Sequence, residues 1–366
     1  MKIITMDRGY NFGAGPSMLP EDILRETQAE LLNWQNSGMS ILETGHRTPE
    51  FRHLMEEAEQ GMRKLLNIPS DYRVLFLGGA ARTQFAMIPM NFLEEDQRAG
   101  YLITGIWSSI AYQEACKLKN AYCVASDEKN GFTNVPRTAD WQIKENTRYL
   151  YFTSNETING VRFTSAPKIK DIPLVADMTS SLLSEPIEIT EYDLIFAGAQ
   201  KNIANAGLTV ILVKDSFLDT ISNKAIPTMF DYRTHSAARS IYATPPGFNC
   251  YLAVKMFQWI EAQGGVETLY KVNCKKAAKL YEYIDSSVLY HCKVSKEARS
   301  LVNVCFNLRE ASLEELFLIK AKDRGLFALK GHRTVGGIRA SIYNAMPLAG
   351  VERLIEFMHD FAKEHN

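Results

Sequence analysis

No run in this sequence approaches the ~18 consecutive apolar residues that read as a membrane span. Its first eight residues hold too short an apolar stretch for a secretion leader. Cysteine is sparse and scattered: Cys116, Cys123, Cys250, Cys274, Cys292 and Cys305 form no CxxC pair, so neither a zinc site nor a disulfide framework is expected. The seven histidines lack metal-ligand spacing as well. Both GxGxxG and GxxxxGK[ST] are missing, which removes the fingerprints of a dinucleotide fold and of a P-loop. Formal net charge is −1 with the two signs mixed, so there is no basic footprint for nucleic acid. The expectation is a cytoplasmic protein with reduced thiols, no metal, and neither a nucleic-acid nor a membrane partner.

What is present is an ordinary globular composition, 46% hydrophobic and 23% charged over 366 residues, long enough for two domains. Pro20 with Glu21 and Asp22 opens a helix expected to run to about residue 36. A second helix begins near Glu50, with Phe51, Leu54, Met55, Ala58, Met62 and Leu65 on one buried face. Short apolar runs then alternate with helical stretches. Strands are predicted at 74–77, 101–103, 149–152, 174–176, 194–196 and 208–213, with helices at 83–93 and from about 107 to 119. That alternation predicts an α/β fold with a mostly parallel sheet flanked by helices. After a helix over 251–262 and Gly264-Gly265 the pattern changes. A long helix to about 286, a strand at 301–306, a helix at 312–324, a strand at 338–342 and a last helix from 350 read as a smaller C-terminal α+β domain. The expected division is 1–263 and 264–366.

Lys201 and Asp177 carry the chemistry. Each follows a buried apolar run, and they lie 24 residues apart, which leaves room for one strand and its connections. Gly198 and Ala199 beside Lys201 are small. A lysine after a strand is ordinarily solvated, and an aspartate there is ordinarily a turn residue. Paired at neighbouring strand ends, they suit pyridoxal phosphate: the lysine would form the Schiff base, and the aspartate would keep the pyridine nitrogen protonated. Gly78-Gly79, where a strand turns into a helix, could present N–H groups to a phosphate. Trp107, just after a strand, could stack on a flat ring, although buried tryptophans are more often core. Gly-His-Arg-Thr occurs at 45–48 and again at 331–334. These two His-Arg pairs, with Arg82 and Arg339, could gather around an anionic substrate, or the arginines could make surface ion pairs.

Several longer segments carry a resemblance. Asn11-Phe-Gly-Ala-Gly-Pro16, Gly45-His-Arg-Thr-Pro-Glu-Phe51, Asn155-Glu-Thr-Ile-Asn-Gly160, Gly198-Ala-Gln-Lys-Asn202, Thr244-Pro-Pro246 and the stretch from Lys330 to Met346 resemble the phosphoserine aminotransferases in content and order. The resemblance implies a fold-type I pyridoxal phosphate enzyme of the class-V aminotransferases, a homodimer with shared active sites. It implies Lys201 and Asp177 in the roles just given, with Trp107 on the cofactor ring and Thr157 near its phenolic oxygen. Ala81, Arg82 and Gln200 match phosphate-region positions, with Ala243 and Thr244 reaching the same phosphate from the second subunit. His46, Arg47, Arg82 and Arg339 match substrate-anion positions, and His332 and Arg333 a pair that the second subunit supplies. The implied reaction converts 3-phosphohydroxypyruvate and glutamate to O-phospho-L-serine and 2-oxoglutarate. A second substrate, 3-hydroxy-2-oxo-4-phosphooxybutanoate, would place the enzyme in pyridoxine synthesis too.

The sequence departs from the family pattern at Ala243, where asparagine is usual, at Gly13 in place of Ser or Asn, and at Ala81 where glycine or serine is common. Four alternatives remain at this point: another small-acid aminotransferase of the same fold, a cysteine desulfurase, a dehydrogenase on a similar sheet, and a non-catalytic pyridoxal phosphate-binding module.

Overall fold

The computed structural model describes residues 8–222 and 225–365. Residues 1–7, on which most of the leader reading rests, lie outside the described residues. The described chain begins in an arm whose short strand β1 (Tyr10–Asn11) belongs to a two-stranded sheet. The large sheet follows as β2 (Tyr72–Gly78), β3 (Arg98–Ile103), β4 (Ala121–Ser126), β5 (Thr147–Thr153), β6 (Leu174–Asp177), β7 (Leu194–Gly198) and β8 (Leu208–Lys214). Beyond the helices Gly247–Ala262 and Gly265–Ser286 come β9 (Tyr290–His291), β10 (Asn303–Leu308), β11 (Leu326–Phe327) and β12 (Ile338–Ser341).

The seven strands lie in the order β2-β8-β7-β6-β5-β3-β4. The expected parallel core is there: β3 through β7 run parallel to their neighbours, while β8 is antiparallel to both β7 and β2. Two reversals restore the direction, so β2 runs with the parallel set and its C-terminal Gly78 reaches the same edge as Asp177 and Gly198. Both faces are buried. Val74 and Phe76 point into one core, and Leu75 and Leu77 into the other. Each such side chain contributes roughly 1.5–3 kcal/mol through burial, so a sheet covered on both sides holds its edge loops on a rigid base.

The helix predicted near Glu50 spans Pro49–Leu66, with Thr48 as its N-cap accepting from the Phe51 N–H. Its stripe is buried as expected, except that Leu66 takes the core position and Leu65 is half-buried. The first predicted helix is shorter than expected and stops at Glu30; Asn33 is already outside the helical range at φ −150° and ψ 79°, and Gln35 and Asn36 then adopt positive φ and turn the chain. Strand β4 had no periodic signal and was not expected.

In the C-terminal part, β12, β10 and β9 form an antiparallel sheet. The N-terminal arm packs with this part rather than with the large sheet: β1 pairs with β11 in a separate two-stranded sheet, and Phe12 is buried in the C-terminal core. Lys276 fastens the loop after β12. Its Nζ, in the helix Gly265–Ser286, donates to the carbonyls of Ile342, Tyr343 and Met346 at 2.9, 2.8 and 2.9 Å. An ammonium has one N–H for each of these acceptors. Lys276→Met fills the same space but leaves the buried carbonyls of Ile342 and Met346 unpaired, while Tyr343 keeps the Met346 N–H. It is expected to lower stability by roughly 3 kcal/mol, read as a lower thermal midpoint; an unchanged midpoint would show that water replaces the lysine.

Candidate active site

The C-terminal edge of the large sheet is where loops can present polar groups over a buried floor. Strands β6 and β7 are neighbours, so Asp177 at the end of one and Lys201 just past the other open into the same cavity of about 350 Å³. Thr153 at the end of β5, Trp107 after β3 and the Ala80–Arg82 turn after β2 line it too. Lys201, Asp177, Trp107, Ala81, Arg82, Thr157, Gln200 and Arg339, all singled out from the sequence for one chain's site, line this cavity, and so does His332, which was expected from a second subunit.

Lys201 is buried, and its Nζ donates to Thr157 Oγ1. Burial is the main reason its pKa falls to about 8; Arg339 pushes it the same way, while Asp177 and Glu156 oppose. An amine so placed is easily uncharged. Asp177 accepts from the Thr179 N–H at 2.9 Å, and Thr179 Oγ1 accepts from the Gly198 N–H at 3.2 Å. Burial nevertheless holds the Asp177 pKa above the ordinary aspartate value, against the pull of Thr179 and Lys201. The carboxylate is thus short of positive charge.

The arm closes the cavity over Lys201. Ala14 and Gly15 are lining residues, Ser17 N–H donates to the Gln200 carbonyl, and Ser17 Oγ donates to the Lys201 carbonyl. Gly15, at φ 147°, lets the chain pass within reach of Gln200 and Lys201. Sequence reasoning did not single out these residues, nor Thr153, Asn155, Thr179 and Ser180. Asn155 stood inside a quoted motif, and Thr179-Ser180 directly follow the Asp177 strand.

The phosphate turn differs in detail from expectation. The Gly79 N–H is taken by the Gly207 carbonyl at 2.9 Å, so the glycine pair does not offer it to a ligand. The free donors lie two residues on: the N–H groups of Ala81 and Arg82 make no hydrogen bond among the described residues, ahead of the helix Thr83–Phe92. The Arg82 guanidinium sits 4.8 Å from the Trp107 ring centroid.

Arg82, His332 and Arg339 also line the cavity. Burial, followed by Arg339, Arg333 and Arg82, holds the His332 pKa below its ordinary value. Surface ion pairs were the alternative expectation for these arginines. None of Arg82, Arg333 and Arg339 has an acidic partner among the described residues. The resemblance assigns His332 to a second subunit, yet here it lines the cavity of its own chain, because the loop from Lys330 to Ile338 doubles back beside Arg339. His46 and Arg47 are not among the lining residues; they precede the Thr48 cap, and Arg47 is exposed. Ala243 and Thr244 are exposed as well and line a separate hollow with Gly78 and Thr83. Among the described residues no group of His, Cys, Asp and Glu could hold a metal ion, and no helix is long and apolar enough to cross a membrane.

These residues fit pyridoxal phosphate on their own geometry. A buried carboxylate wants a cation, two N–H groups at a turn want an anion, and Thr153 Oγ1 and Arg339 Nε are buried without partners. The comparisons agree. Residues 9–354 match the family model described as aminotransferase class-V. A phosphoserine aminotransferase of Legionella pneumophila is 63% identical, with 98% of this chain and 99% of that protein covered. The solved phosphoserine aminotransferase of Bacillus circulans subsp. alkalophilus superposes with a TM-score of 0.96 at 41% identity, covering 99% and 100%. A pyridoxal phosphate-bound phosphoserine aminotransferase from Trichomonas vaginalis gives a TM-score of 0.92 at 36% identity, covering 96% and 100%.

Proposed function

Because the chain belongs to the class-V aminotransferase family, we propose that it is a phosphoserine aminotransferase, moving the amino group of glutamate to 3-phosphohydroxypyruvate. The observation that carries this reading is a set of anion-binding groups beside a buried lysine and aspartate: Arg82 and Arg339, which have no acidic partner among the described residues, and His332, whose Nδ1 accepts from the Thr334 N–H so that Nε2 is left as a donor. A phosphate and two carboxylates are the anions that such a set would hold.

Bound pyridoxal phosphate supplies an electron sink for the charge left when the substrate Cα–H bond ionises. The chain does the rest. Asp177 holds a proton at the ring nitrogen. The N–H groups of Ala81 and Arg82 hold the cofactor phosphate, and the Trp107 indole covers the ring. Thr157 Oγ1 orients Lys201 Nζ, which takes the Cα proton as general base. Arg339 holds the substrate α-carboxylate. Glutamate and the keto acid use the same cavity in turn, so the kinetics are ping-pong.

We infer a homodimer. His46, Arg47, Ala243 and Thr244 belong to loops that also expose Leu42 and Tyr242, an arrangement suited to packing against a second copy's cavity. In that arrangement Ala243 offers the phosphate no side chain. We place the enzyme in the cytoplasm, in keeping with six free cysteines. A desulfurase is disfavoured, since no cysteine lines the cavity and burial pushes the Cys305 thiol up to about 12.

The test is a panel of keto acids with glutamate as donor. Turnover of 3-phosphohydroxypyruvate well above its unphosphorylated analogue is expected, and equal turnover would refute the assignment. Activity on 3-hydroxy-2-oxo-4-phosphooxybutanoate in the same panel would add the pyridoxine-pathway role. Arg339→Ala should raise KM for every carboxylate substrate by roughly 10–100-fold, the loss of a charge-assisted bidentate contact. Arg47→Ala should raise it only for the phosphorylated one; an unchanged KM would make Arg47 structural.

A further inference from the structure

The helix Ile106–Leu118 starts immediately after β3 and carries Trp107 in its first turn. The first N–H groups of a helix need partners from outside it. Here the N-cap position is Gly105, which has no side chain to offer. The partners come from about fifty residues downstream. Asn159 Oδ1 accepts from the Ile106 N–H at 3.1 Å, and Glu156 Oε2 from the Trp107 N–H at 3.0 Å. Glu156 Oε1 accepts from the Ser108 N–H at 2.9 Å and from Ser108 Oγ at 2.6 Å. Glu156 is fully buried and forms no salt bridge among the described residues. Burial raises its pKa to about 7, and its charged form rests on the opposing pull of these Ser108 and Trp107 bonds and on the positive end of the helix dipole.

Gly105 is what lets the carboxylate in. Its φ of −179° suits any residue, so the requirement is space. A Cβ there would lie 2.4 Å from Glu156 Cδ and 2.6 Å from Oε2. The other end of the contact is equally fixed. The Glu156 N–H donates to Val161 and the Gly160 N–H returns to the Glu156 carbonyl, both at 2.8 Å, closing the loop on itself. Between Glu156 and Asn159 stands Thr157, which receives Lys201 Nζ. Trp107 Nε1 has no partner of its own. Its ring meets the Arg82 guanidinium and packs on the core without a hydrogen bond, and the backbone that carries it is held by Glu156.

We propose that Glu156 and Asn159 are positioning residues that lock Trp107 to the loop carrying Thr157, so that the group covering the cofactor ring and the group orienting Lys201 move as one body. This rests on the pyridoxal phosphate reading of the cavity. A carboxylate is required because both its oxygens only accept. Glutamine would turn an NH₂ toward backbone N–H groups.

The test uses the full-length protein, first freed of cofactor. In Glu156→Gln, hydrogen exchange at the Trp107 and Ser108 amides is expected to lose protection about tenfold, the usual scale of a lost cap. The dissociation constant for pyridoxal phosphate is expected to rise by a similar factor, and kcat to fall while KM for glutamate holds. Glu156→Asp should recover part of each. Lost protection or a lower thermal midpoint with unchanged cofactor affinity and kcat would overturn the proposal, leaving a cap that only stabilises the helix. Should Glu156→Gln fail to fold, Asn159→Ala removes a single acceptor and is judged by the same readouts. Failure of the unmutated protein to bind pyridoxal phosphate would instead overturn the reading of the cavity.

Discussion

Replacing Lys201 by alanine is expected to lower transamination by roughly 10²–10⁴-fold, the scale of losing a positioned general base, and to remove the visible absorbance of the lysine-bound cofactor. The geometry leaves no substitute. Lys201 is the cavity's only lysine among the described residues. The cations beside it, Arg82 and Arg339, do not give up a proton near neutral pH. Lys201 also has the acidity that the task needs. Burial brings it down to about 8 while Thr157 fixes where its nitrogen points. Single-turnover assays with glutamate separate the outcomes. Loss of the proton-transfer step with cofactor still bound supports the assignment. Turnover within tenfold of the parent protein would end it.

The same variant has a second consequence. A lysine whose folded pKa is depressed costs stability wherever the unfolded chain holds a proton and the folded chain holds it weakly. Between about 8 and the ordinary lysine value the unfolded state binds more protons, so the stability of the cofactor-free protein rises with pH through that window. Lys201→Met, closer in volume than alanine, should flatten that rise and leave the cofactor-free fold no less stable below it. A site that works because it is strained should lose activity and keep its fold.

Strand ends explain why so much of this site was legible. In a parallel sheet, apolar runs stop where the chain leaves the core, and the next polar residue stands at the ligand-binding edge. Asp177 follows that rule directly, Lys201 and Trp107 stand within four residues of the ends of β7 and β3, and adjacency of β6 and β7 did the rest. What was not legible depends on contacts that no local pattern encodes. The run from Leu208 to Lys214 shows its strand but not its direction, and it runs antiparallel. Gly79 looks like a phosphate glycine until Gly207 takes its N–H. The arm residues Ala14 and Gly15 reach the cavity only because β1 pairs with β11, more than three hundred residues away in sequence. Glu156 reads as an ordinary loop acid, and its role needs the helix that it caps.

Asp177→Asn should separate activity from stability most sharply. Asparagine has the same shape, and its Oδ1 can keep the Thr179 N–H bond. It cannot hold a proton at the ring nitrogen, so kcat is expected to fall by roughly 10²–10⁴, the range for a group acting on proton placement, and cofactor affinity should fall with it. The cofactor-free protein should behave in the opposite sense. Burial raises the folded pKa of Asp177 even with Lys201 nearby. Between the ordinary aspartate value and that raised one, the folded chain binds more protons than the unfolded chain. Stability therefore falls as pH rises through the window and stays lowered above it. Removing the charge removes that loss. At neutral pH the cofactor-free variant should melt no lower than the parent protein, and its midpoint should depend less on pH on the acid side. The parent protein should gain more from added pyridoxal phosphate than the variant does, since the ligand brings the cation that Asp177 lacks. A variant that keeps its kcat, or one that melts well below the parent without cofactor, would show that the carboxylate serves the fold rather than the reaction.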